Sequence, residues 1–223
     1  MRAEGEIMKK ISSALLEAVL LLATVFTGAP TAMAAGVSVN ATTVTVYFLN
    51  QEFREKISQP AAYPASFQLK VTGADKAAYR VTAGESATVS STGLVEPLCT
   101  RYYWYGNVGS TAPTPGKTPD RVTESYTAGD STVQVTAGGK TFRVTVHVQS
   151  YAQVYVDSVM QDYIAKNLPA NPTDYNKAET AAKFAAQYEY SANYSSYLSM
   201  VILGGGDCWA STGAVNRMCS LMG

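Results

Sequence analysis

One cysteine stands in a sequence context that can support covalent chemistry. Cys208 follows the glycines of 204–206 and Asp207, and Trp209 comes directly after it. Glycines allow the backbone to turn sharply into a helix, and aspartate is a favoured N-cap residue. This order predicts that Cys208 lies in the first turn of a helix, where the helix dipole favours the nucleophilic thiolate. Cys208 is therefore the candidate catalytic residue, and Trp209 is a candidate binding residue beside it.

The same stretch has other interpretations. A free cysteine is most often a small buried core residue, and this alternative stays open for Cys208. A phosphate-binding loop is disfavoured because no lysine follows the glycines directly. A zinc site is disfavoured because the spacing offers no paired ligands and no histidine lies nearby. We expect neither a metal nor a cofactor.

The three cysteines do not indicate a disulfide framework. If Cys208 and Cys219 share a helix, about three turns and about 16 Å separate them, which is beyond the reach of a disulfide. An odd number of cysteines in an exported chain also indicates a free thiol. Cys99 is predicted to lie in a loop. Cys219 is predicted to be buried with the other apolar residues on its helix face, which are Ala214, Val215, Met218 and Met222.

A second candidate site is the aromatic run 102–105. Tyrosine and tryptophan give a large contact area at low entropic cost, so Tyr103 and Trp104 are candidates for binding a sugar ring or a partner. The favoured alternative is that these aromatics pack over a sheet edge and protect an open strand. His147, the one histidine, is predicted on the solvent face of a strand, because its apolar neighbours occupy the opposite face.

The residues from Val37 to about Gln149 follow a β pattern. Short alternating or β-branched runs are separated by Gly, Pro and Asp, which favours a β-sandwich. Residues 132–136 and 141–146 are predicted to form a hairpin, since Gly138-Gly139 tolerates the positive φ of a two-residue turn. The segment 99–120, which contains three prolines, is predicted to be an inserted loop.

From Tyr151 onward the apolar spacing becomes helical. The first helix is predicted to end before Pro169, and Thr173 or Asp174 is the predicted N-cap of the second. A tyrosine-containing bridge and a short apolar run then lead to the glycines before Cys208. The boundary between the two regions is placed at 149–151, with little linker and no internal repeat.

The N-terminus is predicted to be a secretory signal. Lys9 and Lys10 precede an apolar run over 18–26, and Ala32-Met33-Ala34 supplies a small-x-small cleavage pattern. Glu17 limits this run on its N-terminal side, and the run is too short for a spanning helix. Residues 1–34 are therefore predicted to be removed, giving a secreted or cell-surface protein without stable membrane insertion.

The amino-acid composition limits the classes of partner that the protein is expected to bind. The chain has 223 residues with 17 basic and 17 acidic side chains, and a net charge of zero gives no electrostatic argument for nucleic acid. Hydrophobic residues make up 47%, which is enough for a packed core and excludes chain-wide disorder. The expected partner is a protein or peptide substrate, or a ligand of the cell wall or surface.

Two segments resemble known families. The phrase ATVSSTGLV at 87–95, followed by the hairpin STVQVTAGGKTFRVTV, resembles the bacterial immunoglobulin-like domains of surface proteins. Two helices, a tyrosine bridge and the sequence GGGDCWASTGAVNRMCSLMG resemble the beginning of a transglutaminase-like domain. The fold class implied is mixed: an all-β immunoglobulin-like sandwich over 35–149, then the helical first half of an α+β transglutaminase-like domain of the papain-like superfamily over 150–223.

The resemblance makes Cys208 the nucleophile of an acyltransferase or peptidase that acts on protein or peptide amides. The family completes its site with a His and an Asp on strands after this helix, and no His follows Cys208 here. The chain as given is therefore expected to be C-terminally truncated and inactive. One alternative is a non-catalytic adhesion or ligand-binding module that uses the β-sandwich. Another is a fragment of a papain-like cysteine protease, which also has Cys-Trp-Ala at a helix start.

Overall fold

Strands in several sheets and four helices make up the part of the chain that the computed structural model describes, residues 36–223. The fold is therefore mixed, as the sequence predicts. The predicted signal segment 1–34 lies outside the described residues. Across 36–223, no helix has both the length and the apolar composition needed to cross a membrane.

The first strands alternate with short turns along the β region, residues 37–150. Their bounds are β1 Ser38–Val39, β2 Thr43–Phe48, β3 Phe67–Gln68, β4 Val71–Thr72, β5 Ala77–Ala83, β6 Ala87–Val89 and β7 Leu94–Pro97. A 3-10 helix, Gln51–Phe53, follows β2. The later strands are β8 Cys99–Tyr105, β9 Val108–Ser110, β10 Arg121–Tyr126, β11 Gly129–Ala137 and β12 Lys140–Ser150.

The predicted hairpin is confirmed and forms the centre of the main sheet. Strands β11 and β12 pair antiparallel with Ala137 opposite Lys140. Gly138 and Gly139 between them have φ values of +54° and +74°, which glycine adopts without steric cost. The sheet order is β2-β12-β11-β5, and β2 runs parallel to β12.

A second sheet, β3-β7-β6, shares one apolar core with the main sheet. Val46, Val133 and Val146 of the main sheet are fully buried together with Val95 of β7. Buried hydrogen bonds also join the two sheets. The Ser131 hydroxyl of β11 accepts hydrogen bonds from the backbone N–H groups of Ser86 and Ala87, both at 3.1 Å.

The segment 99–120 is not the inserted loop that the sequence predicts. Strands β8 and β9, together with β10, form a third sheet of order β10-β8-β9. Cys99 is accordingly the first residue of a strand, paired with Tyr126. The prolines that favoured a loop all fall in the connection between β9 and β10, where they remove no ladder hydrogen bond. The aromatic run 102–105 instead has the β propensity of a strand.

The helical region, residues 151–223, begins without a linker. Its helices are α1 Tyr151–Asn167, α2 Asp174–Ala185, α3 Tyr197–Leu203 and α4 Cys208–Met222. Ser150 is both the last residue of β12 and the N-cap of α1. Of the two predicted N-caps, Thr173 is the one observed, since its hydroxyl accepts from the Asn176 N–H in a reciprocal capping box, and Asp174 is the first helical residue. Helix α1 ends before Pro169, also as predicted.

Two apolar clusters fix the helices. The first lies among the four helices and contains Met160, Phe184, Met200 and Met218. The second joins the helical region to the β region, because Leu49, Phe53 and Ile57 of the segment after β2 pack with Tyr151 and Ala152 of α1. A bidentate ion pair from Arg217 of α4 to Asp157 of α1, at 2.8 and 2.5 Å, also joins these two helices.

Candidate functional site

A turn made of three glycines, 204–206, leads into helix α4. Gly204 ends α3 with φ of +92°, and Gly205–Gly206 forms a short strand, β14, parallel to β13 (Glu189–Tyr190). A Cβ atom on Gly206 would lie 2.6 Å from the Cβ of Ala210 and 3.0 Å from that of Met200. Real Cβ contacts essentially never fall this short, so the turn requires glycine at 206 for close packing against α3 and α4.

Asp207 is the N-cap of α4, as the sequence predicts. Its Oδ1 accepts a hydrogen bond from the Ala210 N–H at 2.9 Å. Its Oδ2 accepts from the Ser195 hydroxyl at 2.6 Å, and its own N–H donates to the Tyr194 carbonyl at 2.9 Å. Through these contacts, Asp207 holds the segment before α3 against the start of α4.

The Asp207 carboxylate is stabilised as an anion by these contacts. Hydrogen bonds from Ser195 and from the backbone of Ala210 lower the pKa of Asp207 below its usual value of 3.8. Hydrogen bonds to the charged form lower a carboxyl pKa because they are lost on protonation. The stability that they contribute is therefore present above pH 3.8 and is lost as the pH falls through the lower, folded-state value.

Cys208 is the first residue of α4 and its side chain is exposed. The structure therefore favours an accessible thiol over the buried-core alternative. Trp209 beside it is 74% exposed. The carbonyl of Cys208 accepts a hydrogen bond from the Thr212 hydroxyl at 2.7 Å, one turn into the helix.

The opposite face of α4 is anchored in the core. Ala214 and Met218 have no exposed surface, and Val215 and Met222 pack against the same cluster, which confirms the predicted apolar face. Ala210, one turn earlier, is also fully buried. Cys219 packs at the margin of the cluster and is only half-buried, so the predicted burial is confirmed only in part. The position follows from helical spacing, because Cys219 comes one residue, about 100°, after the fully buried Met218. No cysteine in the described part is in a disulfide.

The structure does not bring a catalytic base to Cys208. His147 lies in β12, where its Nδ1 is 2.6 Å from Oδ1 of Asp130 in β11. Within 36–223, no side chain is hydrogen-bonded to the sulfur of Cys208, and no group of three His, Cys, Asp or Glu residues is placed to hold a metal ion. The described part of the site therefore contains an exposed thiol with no hydrogen-bonded base beside it.

Tyr103 and Trp104 do not form one surface. They are neighbours in β8, so their side chains point to opposite faces of the third sheet. The Trp104 indole N–H donates to the Thr123 hydroxyl at 2.9 Å, and the Arg121 guanidinium lies 4.5 Å from the ring centroid. Trp104 is thus engaged within its own sheet, which favours a packing role. Tyr103 lies on the other face, opposite Val122.

Ser195 is a site residue that the sequence analysis does not single out. It precedes Asp207 by twelve residues in an irregular bridge, so no helical or strand period links the two positions. The available signal is only that a hydroxyl residue lies in the bridge. Its role depends on β13 and β14 pairing, a contact that local patterns do not show.

No protein-family model matches the chain, and no curated protein matches it either.

Proposed function

We propose that the helical region is the nucleophile-bearing part of a transglutaminase-like cysteine acyltransferase or peptidase, carried on an exported surface protein behind an immunoglobulin-like β-sandwich. One observation carries the proposal: Cys208 is an exposed thiol at the first position of a 15-residue helix. An accessible thiol at a helix N-terminus is placed where a cysteine nucleophile gains most from the helix dipole.

The scaffold around Cys208 supports this role. Asp207 fixes the helix start through Ala210 and Ser195, and the buried face of α4 prevents the helix from shifting. A nucleophile held on a rigid element keeps its orientation toward a substrate, which lowers the entropic cost of reaction. Trp209, exposed next to the thiol, offers an apolar surface for a protein or peptide substrate.

The reaction is acyl transfer. The Cys208 thiolate attacks the carbonyl carbon of an amide, a C–S bond forms, and the C–N bond breaks as a proton passes to the leaving amine. Water or a second amine then breaks the thioester and takes the acyl group. Proton delivery to a poor leaving group needs an acid such as imidazolium, and no histidine contacts Cys208 among the described residues. We expect single acylation by an activated ester and no turnover of amides by residues 1–223.

The test is acylation of the full chain by p-nitrophenyl acetate, whose good leaving group needs no proton. We expect about one equivalent of p-nitrophenol in a rapid burst, with the acetyl group located on Cys208 by mass spectrometry. The burst is lost in Cys208→Ser and kept in the matched control Cys219→Ser. Equal acetylation of Cys99 or Cys219 would contradict a selective nucleophile at 208.

Two further measurements test the family assignment itself. A glutamine-containing protein and a labelled primary amine should give no Cys208-dependent cross-link with the 223-residue chain. Reading the gene past the codon for Gly223 should reveal strands that carry a His and then an Asp. Turnover by the 223-residue chain, or a continuing frame without these residues, would contradict the proposal.

A further inference from the structure

A cleft of about 710 Å³ lies between two parts of the β region, away from the α4 site. One wall is the end of β2 and the segment 59–65, and the other is the end of β7, the start of β8, and Tyr126 of β10. This volume is in the range of sites that bind drug-sized ligands, about 300–1,000 Å³. None of the functional candidates identified from the sequence lines it.

The cleft walls are aromatic and proline-rich, and they are preformed. Tyr47 and Tyr63 meet edge to face with centroids 5.2 Å apart, and Tyr126 stacks on Phe48 at 5.0 Å. The Gln59 amide donates to the Tyr63 carbonyl at 2.6 Å, and this hydrogen bond fixes the loop formed by residues 59–63. The remaining apolar lining consists of Leu49, Pro60, Ala61, Pro64, Ala65, Pro97 and Leu98.

Two arginines line one end of the cleft. Arg54 donates from Nη2 to Glu124 at 2.7 Å and from Nε to the Leu49 carbonyl at 3.1 Å. The Arg101 Nε lies 3.6 Å from the other oxygen of Glu124. Both arginines line the cleft and Glu124 does not, whereas Glu96 contributes one negative charge to the lining. In the described part, Nη1 of Arg54 and both terminal nitrogens of Arg101 make no hydrogen bond within the chain.

Glu124 holds these arginines in position. Burial alone would raise the pKa of Glu124, but hydrogen bonds from Arg54 and Tyr126 and the charge of Arg101 outweigh it, so the pKa lies below its usual 4.5. Glu124 is thus ionised at neutral pH and faces the two guanidinium groups from behind the cleft. The two free terminal nitrogens of Arg101 can donate to both oxygens of a carboxylate, and the free Nη1 of Arg54 can add a further hydrogen bond.

We propose that this cleft binds an extended, proline-containing peptide segment through an acidic side chain. The carboxylate pairs with Arg101 and Arg54, and the proline rings pack against the tyrosines, as polyproline segments do in aromatic grooves. Tyrosine and proline walls fit such a segment better than they fit a sugar, which needs many more hydrogen-bonding side chains along its ring. This binding is independent of Cys208 and of acyl transfer.

The first test uses the unaltered full chain and two fluorescein-labelled peptides, Ala-Pro-Pro-Glu-Pro-Pro-Ala and its Glu-to-Gln counterpart. Fluorescence anisotropy should show binding of the glutamate peptide at least about tenfold tighter, because a charge-assisted hydrogen bond is replaced by a neutral one. The difference should shrink as salt is added. Equal affinity of the two peptides, or binding of neither, would overturn the proposal.

The second test locates binding in the cleft. Leu98→Glu places a negative charge in the lining at a side chain that is 40% exposed, and it should weaken the glutamate peptide by at least about tenfold. Val108→Glu, at a residue 70% exposed and outside the lining, is the matched control and should leave affinity unchanged. Arg101→Gln should weaken binding of the glutamate peptide to a similar extent. Arg143→Gln, on the main sheet, should leave the affinity at the wild-type value. Tighter binding of an oligo-uronic acid than of the peptide, or equal effects of Leu98→Glu and Val108→Glu, would overturn it.

Discussion

Gly206 shows how one residue type can be required by contact alone. Its φ is not in the left-handed region, unlike that of Gly204, so no torsional argument applies. The requirement comes from the Cβ atoms of Ala210 and Met200, which leave no room for another carbon. Because Cβ atoms are fixed to the backbone, relief would require α3 or α4 to move, and with it Cys208.

Gly206→Ala should therefore lower the free energy of unfolding by about 1–3 kcal/mol, the usual cost of overpacking. Gly204→Asn is the matched control. A Cβ there meets nothing within 4 Å, and asparagine tolerates the left-handed conformation, so it should cost about 1 kcal/mol or less. Urea unfolding of both variants measures this. If Gly206→Ala costs no more than Gly204→Asn, the close packing at the turn is not limiting.

At the scale of elements, the main sheet and the second sheet, β3-β7-β6, are joined by a polar contact as well as by apolar burial. Ser131 and Ser86 are both buried, with their hydroxyl oxygens 2.9 Å apart. Ser131 also accepts from two backbone N–H groups at the start of β6. A buried donor that loses its acceptor cannot turn to water, so the contact costs most when only one partner is removed.

Ser131→Ala should reduce the free energy of unfolding by about 2–4 kcal/mol, because two buried N–H groups lose their acceptor. Ser125→Ala, at an exposed position in β10, should stay within about 0.5 kcal/mol of wild type. Thermal or urea unfolding provides the comparison. A loss of less than about 1 kcal/mol in Ser131→Ala would show that these N–H groups find another partner.

The elements that the sequence predicts are those defined by local contacts. The β11–β12 hairpin, the Thr173 cap and the Asp207 cap all depend on residues a few positions apart. The third sheet is not visible in such local patterns, because β8 and β10 pair across a proline-containing connection. The prolines indicate a loop, but the strands on either side of that loop still pair. The cleft could not be predicted from local patterns for the same reason. Its walls come from segments far apart in the sequence, 47–65, 88–101 and Tyr126.

At the scale of the whole molecule, residues 37–223 form one compact unit. The contact between the β region and the helices centres on Phe53, which is 2% exposed, together with Tyr151 and Ala152. Tyr63 from the β region also lies 5.1 Å from the ring of Tyr151. Burial at this junction couples the stability of the two regions.

The wild-type chain should therefore unfold in one transition, and Phe53→Ala should separate it into two. The substitution costs about 3–5 kcal/mol at the junction, as expected for a large core residue. Far-UV circular dichroism follows the helices, and Trp104 fluorescence in a Trp209→Phe background follows the β region. Coincident curves in the Phe53→Ala variant would show that the two regions stay coupled without the Phe53 side chain, and would contradict this prediction. Val108→Ala, at an exposed position, is the control.

Strand β12 runs into helix α1 at Ser150 with no residues between them, and this continuity has a mechanical consequence. The chain enters β2 at Thr43 and leaves the parallel strand β12 at Ser150. Tension between the two ends of the described chain therefore pulls these strands in opposite directions along their length. Their hydrogen bonds bear the load together in shear instead of opening one at a time, and no slack linker absorbs the extension.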